Sequence, residues 1–158
     1  MKIILLSDSH GYTENIFKLL EQALPAQYYL HAGDGNSDAQ YLYTATSKPV
    51  YTVCGNCDPL DGYSPQERII EIGSHKILLT HGHTFAIKNG YKYLFNYAEQ
   101  LNANIIICGH THIADIKLQN NILLVNPGSI SLPKLSFNPT YAVLDLSTIK
   151  PKAEIKLL

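Results

Sequence analysis

Histidine and aspartate recur in this sequence where a run of apolar residues has just ended. "KIILL" leads into Asp8-Ser9-His10, "YYLHA" into Gly33-Asp34 and "VYTVC" into Gly55-Asn56. "HKILLT" runs into His81-Gly82-His83, and "NIIIC" into Gly109-His110-Thr111-His112. Imidazole, carboxylate and carboxamide groups are donors that suit borderline divalent ions such as Mn, Fe, Co, Ni and Zn. Each fragment alone says little. Gly-Asn is a common turn, and two histidines separated by one residue point to the same side of an extended segment, where water could solvate both. Five such fragments, each just past an apolar run, point to a metal site assembled from distant parts of the chain.

The elements that must position these fragments follow from the apolar spacing. Residues 2–6, 28–32, 50–54 and 104–108 read as short strands. Residues 13–24 carry Ile16, Phe17, Leu19, Leu20, Ala23 and Leu24 at helical spacing, and Pro25 marks the end. Residues 37–46 suit a short helix with Ser37 as N-cap, and residues 88–101 suit another. "ERIIEI" and "HKILLT" flank Gly73-Ser74 as a hairpin, and "IADIKL" and "NILLV" flank Asn120-Asn121 as a second. "NPGS" (126–129) reads as a tight turn, and two last strands fall near 140–146 and 153–157. Alternating strand and helix in the first half favours a parallel sheet, to which the second half adds antiparallel hairpins. The expected fold is α/β, a four-layer αββα sandwich of two mixed β-sheets flanked by helices. The loops after the strands share one edge in such sheets, so the metal site is expected at the C-terminal ends of the strands.

Composition sets the outer bounds. A chain of 158 residues fits a single domain over 1–158, and 46% hydrophobic with 16% charged residues is a globular composition. The formal net charge of −1, without a run of Lys or Arg, argues against nucleic acid or an anionic membrane surface as partner. "MKIILLSDSH" mimics the start of a signal peptide, but its apolar run is too short, and no stretch approaches the ~18 apolar residues of a membrane span. A cytoplasmic protein is expected. Cys54, Cys57 and Cys108 form no disulfide framework. The Cys54–Cys57 C-x-x-C is followed closely by Pro59 in "CDPLDGYSP", the context of a loop and not of a redox helix.

The ordered set "DSH", "GD", "GN", "HGH" and "GHTH" resembles the calcineurin-like metallophosphoesterase superfamily. The small size, "GNCD" in place of "GNH" and an acid, and the later "NPGS" are similar to its compact YfcE-like phosphodiesterase branch. The resemblance implies hydrolysis of phosphate esters by in-line attack of a hydroxide bridging two divalent metals, manganese first among Mn, Ni, Co, Fe and Zn. Carried over residue by residue, it implies that Asp8, His10 and His112 hold one ion. Asn56, His81 and His110 would hold the other, with Asp34 bridging both. His81 is preferred to His83 because it follows the apolar strand directly. His83, Cys57 and Asp58 are left as substrate-binding or supporting residues.

Two ions with two carboxylates and a hydroxide leave a net positive centre for a phosphodiester or phosphomonoester. Many members of the superfamily place a histidine after "GN" to protonate the leaving group. Here that position is Cys57, a poorer acid near neutral pH, so diesters and good leaving groups are expected to be preferred. Cys57 also admits a reading as a small packing residue. His31 reads as a core or supporting histidine, His75 as a solvated turn residue, and Lys88, Tyr91 and Lys92 as a helix face that could also line a phosphate path. The competing class is a catalytically silent scaffold of the retromer-subunit type, in which metal-ligand positions are substituted; here all seven hold competent donors. Self-association of so compact a protein is compatible with either reading.

Overall fold

The structure, a computed structural model, describes residues 1–22, 25–59, 64–136 and 138–158. Ten strands form two five-stranded mixed sheets among these residues. The first sheet contains β1 (Lys2–Leu6), β2 (Tyr28–His31), β3 (Val50–Thr52), β9 (Thr140–Asp145) and β10 (Lys152–Leu157), in the order β10-β9-β1-β2-β3. β1, β2 and β3 are parallel, while β9 and β10 run antiparallel. The second sheet has the order β4-β5-β6-β8-β7, from β4 (Glu67–Ile72), β5 (His75–Thr80), β6 (Ile105–Ile107), β7 (Ala114–Gln119) and β8 (Ile122–Pro127). Here β5, β6 and β8 are parallel, and the two hairpins β4–β5 and β7–β8 add the antiparallel pairs.

Strand periodicity explains the layers. Successive side chains point to opposite faces, so a strand apolar throughout must be covered on both. Ile3 and Leu5 pack between the sheets with Leu30, Ile77, Leu79, Ile105, Ile107 and Val125. Ile4 and Leu6 point the other way, to Ile16 and Leu19 of α1 (Thr13–Gln22) and Leu42 of α2 (Asn36–Thr46). Leu78, Ile106 and Leu124 face Leu94, Phe95 and Ala98 of α3 (Lys92–Gln100). The result is helices, sheet, sheet, helix: the αββα order expected. Each fully buried Ile or Leu adds about 1.5–3 kcal/mol of transfer free energy, and every strand leading into the candidate site belongs to this core.

Several local expectations need correction. Ser37 is not the N-cap of α2. That position is Gly35, without a side-chain cap, and the N–H groups of Gly35 and Asn36 at the helix start donate to the Asp58 carboxylate instead. The helix expected over 88–101 is broken: a 3₁₀ turn covers Ile87–Asn89, Gly90 takes a φ of 114°, and α3 starts at Lys92. Asn126 and Pro127 belong to β8, so "NPGS" begins as a buried strand and turns only at Gly128. His75 is buried, not solvated, within hydrogen-bond distance of the Asn104 side chain. Of the helix expected over 13–24, residues 23 and 24 lie outside the described residues, as do residues 60–63 of the loop after Cys57.

Candidate metal centre

β1, β2, β3, β5 and β6 all end at one edge, and the five His-, Asp- and Asn-bearing loops meet there. The backbone is unusual at this edge. Asp8, His10, Asp34, His110 and His112 all have φ between 49° and 67°, the left-handed region that non-glycine residues rarely enter. Such conformations cost of order 1–3 kcal/mol each and persist only when surrounding contacts over-determine them.

Those contacts are specific. The Asp8 carbonyl accepts hydrogen bonds from the hydroxyls of Ser129 and Ser131, both at 2.7 Å. Its carboxylate Oδ2 accepts from Ser7 Oγ at 2.5 Å and from the His110 N–H at 3.1 Å, which ties the β1 and β6 loops together. Asp34 Oδ1 accepts from the Cys57 N–H at 2.7 Å. Asp58 accepts four backbone N–H groups at 2.7–3.0 Å, from Asp34, Gly35, Asn36 and Gly55, and so fastens the β2 and β3 loops to one carboxylate. Glycine is required where these loops touch. A Cβ on Gly55 would collide with Asp34 Oδ1, and one on Gly109 with Ser7 Oγ.

Beneath the loops, the Gly33 N–H donates to His31 Nδ1, which places the ring proton on Nε2. Nε2 then donates to Ser9 Oγ at 2.9 Å, and Ser9 Oγ donates to Asp38 Oδ2 at 2.5 Å. Burial, opposed by nearby carboxylates, lowers the pKa of His31 and keeps it neutral in this chain. Ser7, Asp38 and Ser131 carry no signal in the sequence, and Ser9 and Ser129 appear there only as members of "DSH" and "NPGS". Asp58 is there only an undifferentiated candidate, and the structure makes it the residue that positions Asp34.

The donor atoms themselves converge. Asp8, His10 and His112 form one set with all ligand atoms within 4.8 Å of one another. Asp8, Asp34 and His81 form a second, and His10, Asp34 and Cys57 a third. Asp34 Oδ2 lies 3.4 Å from His81 Nε2 and 3.9 Å from His10 Nε2. His112 Nε2 lies 3.1 Å from Asp8 Oδ1 and 3.4 Å from His10 Nε2. His81 Nδ1 donates to the Ala32 carbonyl and His112 Nδ1 to the Leu132 carbonyl, each at 2.7 Å. A carbonyl only accepts, so both neutral rings present a lone pair at Nε2, the arrangement that orients metal-binding histidines. Asp8 Oδ1 and His81 Nε2 are buried without a hydrogen-bond partner. Acceptors that face one another without a donor between them need a shared proton or a cation. The residues present therefore fit divalent metal.

Not every candidate converges equally. The His110 ring lies 5.1 Å, centroid to centroid, from that of His81 but falls outside the three tight sets. Asn56 is exposed and its amide donates to Cys57 Sγ at 3.2 Å. His83 stands behind, with ring centroids 5.4 Å from His81 and 6.2 Å from His110. Cys57 is exposed, which removes its reading as a packing residue, and no disulfide joins it to Cys54.

Charge follows the same geometry. Burial opposes charge on Asp34, but the His81 ring beside it and the Cys57 N–H hold its carboxyl well below the usual range. Burial likewise opposes charge on His81, and Asp34 and Asp8 outweigh it to raise its pKa. The Asp8 carboxylate beside it raises the pKa of His112. Burial, with His81 and Lys88 nearby, lowers His110 to about 4, so that ring is neutral at physiological pH. Burial and the neighbouring Asp34 raise the Cys57 thiol, which stays protonated.

The chain is similar to known proteins. The family model of the calcineurin-like phosphoesterase superfamily domain matches residues 1–149. The chain is 35% identical over 147 residues to the probable metallophosphoesterase YsnB of Bacillus subtilis, covering 92% of this chain and 85% of that one. It is 28% identical over 173 residues to phosphodiesterase YfcE of Escherichia coli K12, covering 92% and 88%. Among solved structures, a predicted phosphoesterase of Streptococcus pneumoniae superimposes with a TM-score of 0.85 at 31% identity, over 99% of this chain and 88% of that one. Vacuolar protein sorting 29 of Cryptosporidium parvum shares the fold, with a TM-score of 0.74 at 22% identity over 99% and 97%. The chain belongs to the calcineurin-like phosphoesterase superfamily, on the side of its small YfcE-like proteins.

Proposed function

We propose that this metal-dependent phosphoesterase is a phosphodiesterase with a two-metal centre. Asp8, His10 and His112 would hold one ion, Asn56, His81 and His110 the other, and Asp34 both. Manganese is the ion of choice, with Ni, Co, Fe and Zn suited to the same donors. The observation that carries the reading is the set of unpartnered acceptors, Asp8 Oδ1 and His81 Nε2, each facing a further donor atom from another loop. When bound, two such ions supply positive charge and acidify water enough to make a hydroxide nucleophile near neutral pH.

The chain's own residues tune that chemistry. Neutral histidines and a carboxamide leave Asp8 and Asp34 as the only carboxylates in the proposed ligand set, so positive charge survives to attract a phosphate ester. The Ala32 and Leu132 carbonyls hold His81 and His112 in the tautomer that offers Nε2. Asp58 holds the Asp34 loop through backbone N–H groups. Cys57 reaches the site as a neutral thiol, a weak proton donor to a leaving oxygen, which favours diesters with good leaving groups over alkyl monoesters. Residues 1–158 would act as one such domain on a small substrate. No helix among the described residues is long and apolar enough to cross a membrane, in keeping with a cytoplasmic enzyme.

The direct test is turnover of bis-p-nitrophenyl phosphate with added manganese, abolished by a chelator. Inactivity with every divalent ion, together with a tight protein partner, would instead favour a scaffold.

A further inference from the structure

The residues after the second histidine of "GHTH" lead into β7, along which alternate side chains face the same way. Thr111, Ile113, Asp115 and Lys117 all line one groove of about 560 Å³, closed on its other side by the segment leading into α3. The groove therefore runs from Thr111, in the loop that carries His110 and His112, along β7 (Ala114–Gln119) away from the proposed metal centre. Buried Ile87 and Phe95 with half-buried Tyr91 and Ile113 give it apolar walls.

Its charge is one-sided. Lys88, Lys92, Lys117 and Lys134 line it against the single carboxylate of Asp115, in a chain whose net charge is −1. Asp115 is already paired with Lys117, Nζ to Oδ2 at 3.4 Å. Lys88, Lys92 and Lys134 have no carboxylate at ion-pair distance among the described residues. Lys134 is tied to the proposed metal centre: its backbone N–H donates to the His112 carbonyl at 2.9 Å. An electropositive apolar trough beside the loop that carries His110 and His112 has the make-up of a specificity subsite.

We propose that this groove seats one arm of the phosphodiester substrate, an arm with an apolar body that bears a second anionic group held by Lys88, Lys92 and Lys134. The inference rests on the phosphodiesterase reading and names the substrate class for that site. In the reaction, water oxygen forms the new bond to phosphorus and the P–O bond to the other arm breaks. That arm leaves as its alkoxide or phenolate, and the proton from water goes to solvent or to the leaving oxygen.

The test uses the manganese-loaded protein and p-nitrophenyl phosphodiesters whose second arm is a short alkyl chain ending in phosphate, carboxylate or carboxamide. Bis-p-nitrophenyl phosphate serves as the reference. The expected result is a kcat/KM for the anionic arms at least tenfold above that for the carboxamide, carried by KM and reduced by salt. Lys92→Gln with Lys134→Gln should bring that ratio close to one, with metal content retained. The phosphate and carboxylate arms then show which anion the lysines favour. Turnover of the reference diester with no preference for either anionic arm overturns the inference and leaves the phosphodiesterase reading standing. No turnover of any diester, the reference included, overturns both.

Discussion

The two halves of the proposed metal centre are built to different standards. In one, Asp8, His10 and His112 already bring their ligand atoms within 4.8 Å of one another. Two serine hydroxyls fasten the Asp8 carbonyl, the Ser7 hydroxyl and the His110 N–H fasten its carboxylate, and a carbonyl orients His112. In the other half only His81 is comparably fixed, by the Ala32 carbonyl. His110 stands outside the tight sets, and the Asn56 amide turns to Cys57. Preorganisation lowers what a ligand must spend on ordering its site. The first half should therefore fill at lower metal concentration, and the second should close around its ion.

Four experiments would break or sharpen that contrast, and Asp34→Asn has the largest expected effect. Asp34 Oδ2 faces both His10 and His81, so the variant should lose turnover altogether and lose metal from both halves while remaining folded. Full activity would remove Asp34 from its shared position. Next, His112→Ala and His110→Ala should each lower bound metal, but unequally. His112→Ala should weaken the tighter phase of a metal titration and His110→Ala the weaker, and identical titration curves would erase the distinction between halves. Asp58→Asn acts further out. It should cost roughly 1.5–3 kcal/mol of stability, since hydrogen bonds to a charged acceptor are replaced. Loss of such support typically lowers metal affinity about 10–100-fold, read by denaturant melts and metal titration.

The smallest effect concerns pH. His81 and His112 have raised pKa values in the metal-free chain, His81 because Asp34 and Asp8 outweigh its burial and His112 chiefly through Asp8. Their contribution to stability is fully present below the ordinary histidine value of about 6.5 and is lost as pH rises through the raised values. Metal needs the same rings deprotonated, so its affinity should rise with pH over that window. Melting temperature should thus fall with rising pH without metal, and the gain conferred by added manganese should grow. Parallel curves with and without metal would contradict the sign.

The sequence made the scaffold and the ligand types legible because both depend on local pattern. "KIILL", "HKILLT" and "NIIIC" are short apolar runs that suit strands covered on both faces, and each ends within two residues of a donor. The supports were hidden because they depend on contacts between distant segments. Ser9, His31 and Asp38 span 29 residues, and Ser129 reaches Asp8 across 121. Nothing local distinguishes Asp58, which holds four N–H groups, from an ordinary turn aspartate. The break before α3 is readable in principle, since Asn89-Gly90 is a turn dipeptide. The helical spacing of Leu94, Phe95 and Ala98 beyond it masks that signal. Left-handed backbone shows the same split: Asn120 and Asn121 adopt it in a hairpin turn where asparagine announces it, whereas Asp8, His10 and His112 adopt it only because the site demands it.

The central claim, two ions sharing Asp34, is tested most directly by titrating manganese into the chelator-treated chain and following it by electron paramagnetic resonance. Two ions about 3.5–4 Å apart should give a spin-coupled signal that develops only after the first equivalent has bound. Asp34→Asn should remove the coupled signal. A single uncoupled manganese signal at saturation, or a coupled signal that survives in Asp34→Asn, would contradict the account.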